Sequence, residues 1–255
     1  MPDKTQLFFL QSTARSGTAW LGSYLSAHPE IEWLGEMFHP ALFANGYYSS
    51  LAKQIATDPA AILPHNQSSF CADYLSGLSS QSASMCGVDL KLEHMLQLPY
   101  IHECIYRQPF KFITLRRLNL LKQAVSELLM YERIKRGDGE IHRNYVPEKV
   151  SIWIEPDMAM GMMAAKDETT EKYNRRIAYA GSPCLSLVYE DMCLPGGIEQ
   201  ALCRIEGFLK IGGFSKSGAI VKQNPFPVDE LVANWNELSR AIAQSKFAYT
   251  LHLPG

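Results

Sequence analysis

The sequence predicts an α/β protein: a central parallel sheet flanked by helices, in three layers. Short apolar runs bounded by turn residues alternate along the chain with longer segments of helical periodicity. The first of these runs ends in small hydroxylic residues, a basic residue and Ser16-Gly17-Thr18, just before an amphipathic segment. The composition, 47% hydrophobic and 20% charged over 255 residues, is that of one domain with a sizeable core.

The elements follow in order. Leu7-Phe8-Phe9-Leu10 reads as a strand, and 17–27 has helical apolar spacing (Trp20, Leu21, Tyr24, Leu25) that stops at His28-Pro29. Residues 31–34 form a second short strand, followed by Gly35-Glu36. Residues 41–84 are rich in Ser, Ala, Asn and Gln with weak periodicity, which predicts short helices and loops over the sheet. Strands are expected at 87–92, 111–116 and 184–189. Long helices are expected at 119–136, with Leu120, Leu121, Ala124, Val125, Leu128 and Leu129 on one face, and at 155–179. A further helix covers 198–209 and ends at Gly212-Gly213.

Ligands of parallel sheets bind at the C-terminal ends of the strands. The loop Thr13 to Thr18 occupies such an end. It offers backbone N–H groups and a helix N-terminus to an anion, Arg15 adds a fixed charge, and Ser16 and Thr18 add hydroxyls. The ordinary P-loop, Gly-x-x-x-x-Gly-Lys-Ser/Thr, is a poor match: Ser12 stands where its first Gly belongs and Thr18 where its Lys belongs.

Arg15-Ser16-Gly17-Thr18 with Trp20 resembles the 5′-phosphosulfate-binding loop of sulfotransferases that use 3′-phosphoadenosine 5′-phosphosulfate (PAPS). Ala14 departs from the family's Pro, and Ala19 from its second Thr. The resemblance implies a P-loop-like fold and donor contacts from Arg15, Ser16, Gly17, Thr18, Ala19 and Trp20.

Two more segments follow in the family's order. Arg116-Arg117 at a strand end, with Ser126 two helical turns on, is similar to the 3′-phosphate segment. Arginine's planar fork suits that phosphate. Arg117 is the favoured contact and Arg116 the close second. Leu187-Val188-Tyr189-Glu190-Asp191 resembles the strand whose terminal Tyr lies beside the adenine, with Trp20 opposite. Near the C-terminus, Lys216 or Lys222 stands in a basic loop that the resemblance places near the 3′-phosphate. A helix then follows from Asn234-Trp235-Asn236-Glu237-Leu238.

The implied reaction is sulfuryl transfer to a hydroxyl or amine of a small-molecule, sugar or lipid acceptor. It releases 3′-phosphoadenosine 5′-phosphate (PAP) and uses no metal. An acceptor hydroxyl needs a general base. Glu36 resembles the catalytic Glu of carbohydrate and bacterial sulfotransferases, and His39 and His94 are rivals for the role. Lys91, at another strand end, either orients the sulfuryl group or acceptor or forms an ion pair with Asp89 or Glu93. The methionines Met158, Met160, Met162 and Met163 serve the core or line an apolar acceptor pocket. One domain over 1–255 is expected, with acceptor-binding caps near 40–85 and 138–180. The alternatives are a P-loop-type kinase or transferase and a non-catalytic PAP-binding protein.

Lys and Arg number 24 against 26 Asp and Glu, which argues against a general nucleic-acid or membrane-surface binder. No signal peptide or membrane span is evident. The six cysteines show no metal spacing, Cys184 and Cys203 are expected to be buried, and a cytoplasmic location follows. Oligomeric state is not legible.

Overall fold

Five parallel strands form the sheet: β1 (Gln6–Ser12), β2 (Ile31–Gly35), β3 (Met85–Lys91), β4 (Lys111–Arg116) and β5 (Cys184–Val188), in the order β2-β3-β1-β4-β5. The computed structural model describes residues 6–40, 46–78, 83–95, 99–137, 145, 148–214 and 225–254. β1 is central, paired with β3 on one side and β4 on the other. That position explains its unbroken apolar run, because a strand covered on both faces has no polar face to present. Leu7 and Phe9 point into one core, Phe8 and Leu10 into another.

Helices cover both faces. On the Phe9 side pack α2 (Tyr47–Thr57), α3 (Pro64–Leu78), α5 (Pro99–Tyr106) and the C-terminal part of α7 (Pro156–Ala180), with Tyr47, Leu75, Ile105 and Tyr173 buried. The short α4 (Leu92–Met95) leads there from β3. On the Phe8 side lie α1 (Thr18–Ala27), α8 (Tyr189–Met192) and α9 (Gly197–Leu209), burying Leu21, Leu25, Leu202 and Ile205. A third core joins α6 (Leu120–Lys135) to the start of α7, α10 (Val228–Leu231) and α11 (Trp235–Ala243). The three-layer α/β arrangement is thus the expected one.

Segment 41–84 does hold helices, as predicted, but they are longer than its weak periodicity suggested. Tyr47, Leu51, Cys71 and Leu75 supply the buried stripe. Helix α5 was not foreseen. Cys184 and Cys203 are exposed, contrary to expectation. β5 is an edge strand and Cys203 lies on the outer side of α9, so apolar surroundings in sequence did not translate into burial. Of the methionines, Met163 is in the third core, Met160 and Met162 pack against it, and Met158 is exposed. Among the described residues no helix is long and apolar enough to cross a membrane.

Candidate functional site

All five strands deliver chemistry at their C-terminal ends. β1 leads into the loop 13–17, β2 into Glu36, β3 into Lys91, Glu93 and His94, β4 into Arg116 and Arg117, and β5 into Tyr189 and Glu190. The chain steps from β3 across β1 to β4, so the loop sits where connections diverge to opposite sides, the usual position of a ligand crevice.

The loop has an unusual backbone. Arg15 (φ 63°) and Gly17 (φ 92°) are both left-handed. For Arg15 this costs about 1–3 kcal/mol, which the surroundings must hold in place. At Gly17 only glycine fits, since a Cβ there would come within 2.4 Å of the Tyr189 ring. The first-turn N–H groups of α1 have no intrahelical acceptors and point out of the helix end.

Side chains from four elements fix this loop. Gln123 of α6 donates to Thr13 Oγ1 (2.8 Å), the Ala14 carbonyl (2.6 Å) and Ser16 Oγ (2.9 Å). Glu93 accepts the Ala14 N–H (2.8 Å), and Lys166 of α7 donates to the Ala14 carbonyl (3.4 Å). Lys166 is itself paired with Glu93 (3.3 Å) and Glu127 (2.6 Å). Lys91 is buried, held by both oxygens of Asp89 (2.6 Å each), and it also donates to the Thr18 hydroxyl. Of the alternatives open for Lys91, the pairing with Asp89 is present, and Glu36 lies 3.6 Å away; Glu93 pairs with Lys166 instead.

The two arginines of β4 diverge. Arg116 turns to α7, bound to Asp167 (3.1 Å) and Glu171 (3.0 Å). Arg117, 7% exposed, turns to the loop: it donates to the Arg15 carbonyl (3.0 Å) and stacks on Tyr189 at 4.7 Å. Glu190 holds that turn by accepting the N–H groups of Leu118 and Asn119, both at 2.9 Å. Arg15 Nε donates to Ser126 Oγ (3.2 Å), so Arg15, Arg117 and Ser126 meet in one place. Burial pulls both guanidiniums below their ordinary pKa, and for Arg15 the neighbouring Arg117 pulls further the same way. Carboxylates act the other way, Glu127 and Glu36 on Arg15 and Glu190 on Arg117. The buried Nε of Arg117 has no hydrogen-bond partner among the described residues, with Glu190 4.0 Å away.

Trp20 and Tyr189 meet edge to face at 6.2 Å. Glu36 follows β2 in a tight turn closed by the His39 N–H on the Glu36 carbonyl (3.0 Å). His94 stands over His39 with ring centroids 4.5 Å apart. Glu36, His39 and His94 place one ligand atom each within 4.8 Å of one another, and among the described residues only this trio offers a metal such a group. Burial, then His39, lowers the His94 pKa to about 4. Lys216 and Lys222 lie outside the described residues.

Sequence reasoning gave no role to Gln123 or Lys166, and treated Glu93 only as a possible partner of Lys91. Glu190 enters the sequence reading only within the strand-end motif of Tyr189, not as the clamp on the β4–α6 turn. Gln123 stands three residues before Ser126, a spacing that puts both on one helix face; the other contacts join distant segments and leave no local mark.

No family model matches the chain, and no curated protein matches it in sequence. Among solved structures it is similar to a sulfotransferase from Alicyclobacillus acidocaldarius, with 13% identity and a TM-score of 0.45 over 97% of this chain and 96% of that one. It is also similar to the sulfotransferase domain of the Synechococcus PCC 7002 olefin synthase, at 17% identity and a TM-score of 0.41, covering 82% of this chain and 76% of that one. A third is the sulfotransferase domain from the curacin biosynthetic pathway, at 15% identity and 0.43, covering 82% and 75%.

Proposed function

We propose that this chain is a sulfotransferase that moves the sulfuryl group of PAPS to the hydroxyl of a small-molecule, sugar or lipid acceptor. The observation that carries this reading is the buried Arg117. It sits beside Arg15 at the mouth of a helix N-terminus, with its Nε–H unpartnered among the described residues. Two desolvated cations side by side suit a ligand bearing several negative charges.

In this reading the N–H groups of residues 15–20 and the Arg15 side chain hold the 5′-phosphosulfate. Arg117, with Ser126 beside Arg15, takes the 3′-phosphate, and Trp20 and Tyr189 flank the adenine. Arg116 is the weaker candidate because Asp167 and Glu171 already engage it. Glu36 takes the proton of the acceptor hydroxyl as its oxygen attacks sulfur. The bond from sulfur to the 5′-phosphate oxygen breaks, giving a sulfate ester and PAP. Charge spreads over the equatorial oxygens in such transfers, so positioned cations supply most of the catalysis. Helices α2 and α3 and the start of α7 frame the acceptor side, and the location in this reading is cytoplasmic.

A magnesium-dependent kinase fits less well. The position whose hydroxyl a P-loop would offer to magnesium is Ala19 here, and Thr18, at the Lys position, receives the Lys91 ammonium. Transfer of labelled sulfuryl from PAPS to a panel of phenols, sugars and lipid alcohols tests the reading. Activity on one class, lost in Glu36→Gln with PAP binding kept, is expected. Full activity in Glu36→Gln would remove the base from the mechanism.

A further inference from the structure

Glu36 and His39 lie in one turn at the end of β2, and His94 lies at the end of the adjacent β3. The turn is closed by the His39 N–H on the Glu36 carbonyl, so the two side chains stand three residues apart on one short arc. His94 reaches them from α4, its ring at 86° to that of His39. One ligand atom from each residue falls within 4.8 Å of the other two. Ligands of a tetrahedral zinc at ordinary bond lengths are about 3.4 Å apart, so side-chain rotations moving these atoms by about 1 Å close the site.

Three further observations favour a cation here. His94 Nδ1 is buried without a hydrogen-bond partner among the described residues, and a buried imidazole nitrogen left so loses the full energy of its missing bond. All three residues are only partly buried, so an ion has a way in. Three carboxylates, Glu36, Asp89 and Glu93, face the two cations Lys91 and Arg15 around the trio, and Lys91 is already held by both Asp89 oxygens. Two imidazoles and one carboxylate select a borderline metal such as zinc over magnesium or calcium, which prefer all-oxygen sites.

We propose that Glu36, His39 and His94 form a binding site for a zinc-class divalent cation, and that its occupation switches the transferase off. The metal takes the Glu36 carboxylate, which then cannot accept the acceptor's proton. The inhibition, though not the binding, rests on the reading of Glu36 as the base.

Calorimetry with zinc on the intact chain tests the site, with circular dichroism checking that each variant is folded. One zinc per chain is expected, bound at least ~10-fold more weakly by His94→Ala and by His39→Ala, since loss of even an outer-shell partner of a metal ligand commonly costs that much. Cobalt substituted for zinc should give d–d bands without thiolate charge transfer. Unchanged affinity in both folded variants, a thiolate band, or no binding would each overturn the site. Zinc bound at the trio while PAPS turnover continues undiminished would uphold the site and overturn its inhibitory role through Glu36.

Discussion

At the scale of single residues, neighbours in sequence have opposite fates. Arg116 and Arg117 alternate across the end of β4, so one meets the carboxylates of α7 and the other the loop. Arg117→Ala is expected to weaken PAP binding by roughly 10- to 100-fold, the worth of a charge-assisted pair. Arg117→Lys should recover little of it, because the stacking on Tyr189 and the fork are lost. Arg116→Ala should change affinity by less than about threefold; a larger loss there, with Arg117→Ala silent, would exchange their roles. Gly17→Ala is expected to lower stability by about 1–3 kcal/mol, read by denaturant unfolding, since the new Cβ meets Tyr189 at a left-handed position. The cysteines give a separate check. Side-chain hydrogen bonding with Cys71, opposed by burial and aided by Ser68, pushes the Cys104 pKa down to about 6, and its sulfur also donates to the Ser68 carbonyl (3.1 Å). Cys104 should therefore alkylate readily at pH 7, and more slowly as pH falls through about 6; mass spectrometry of iodoacetamide-treated protein reads this, with the buried Cys71 untouched.

At the scale of elements, the chain grips its anion loop from outside. The Ala14 peptide is clamped at both ends, its N–H by Glu93 and its carbonyl by Lys166 and Gln123. A proline at this position would offer no N–H, so Glu93 grips the loop backbone only because residue 14 is Ala, and would otherwise keep Lys166 alone. Glu93→Gln is expected to weaken PAP binding severalfold in the Ala14 protein and to have a smaller effect in an Ala14→Pro background. Equal effects in both backgrounds would dissociate Glu93 from the loop. Lys166→Met leaves Glu127 and Glu93 without their cation and should cost roughly 1–3 kcal/mol. The elements themselves were largely legible. The strand 111–116 agrees in both bounds, and the two long helices agree to one residue, because period and turn residues coincide there. Helices α2 and α3 were blurred by small polar residues that dilute the apolar stripe, and α5 was missed. The exposure of Cys184 depends on β5 being an edge strand, which strand order decides and local sequence does not.

At the scale of the whole molecule, the site is the sum of five strand ends, and each carries at least one of the polar groups expected from sequence. The loop was visible because an apolar run, an arginine and a Ser-Gly-Thr turn are contiguous. The clamp on Ala14, the turn toward Arg117 held by Glu190, and the grouping of Glu36 with His39 and His94 were not, because each joins residues far apart in the chain that only the parallel sheet brings together. In the proposed reading this crevice takes a nucleotide bearing both a 5′- and a 3′-phosphate. Calorimetric titration of PAP into the wild-type chain, beside magnesium ATP, tests it most directly. Tight binding of PAP, weak binding of magnesium ATP, and loss of the PAP signal in Arg117→Ala are expected. Absence of PAP binding, or a stronger magnesium-dependent ATP signal, would contradict it.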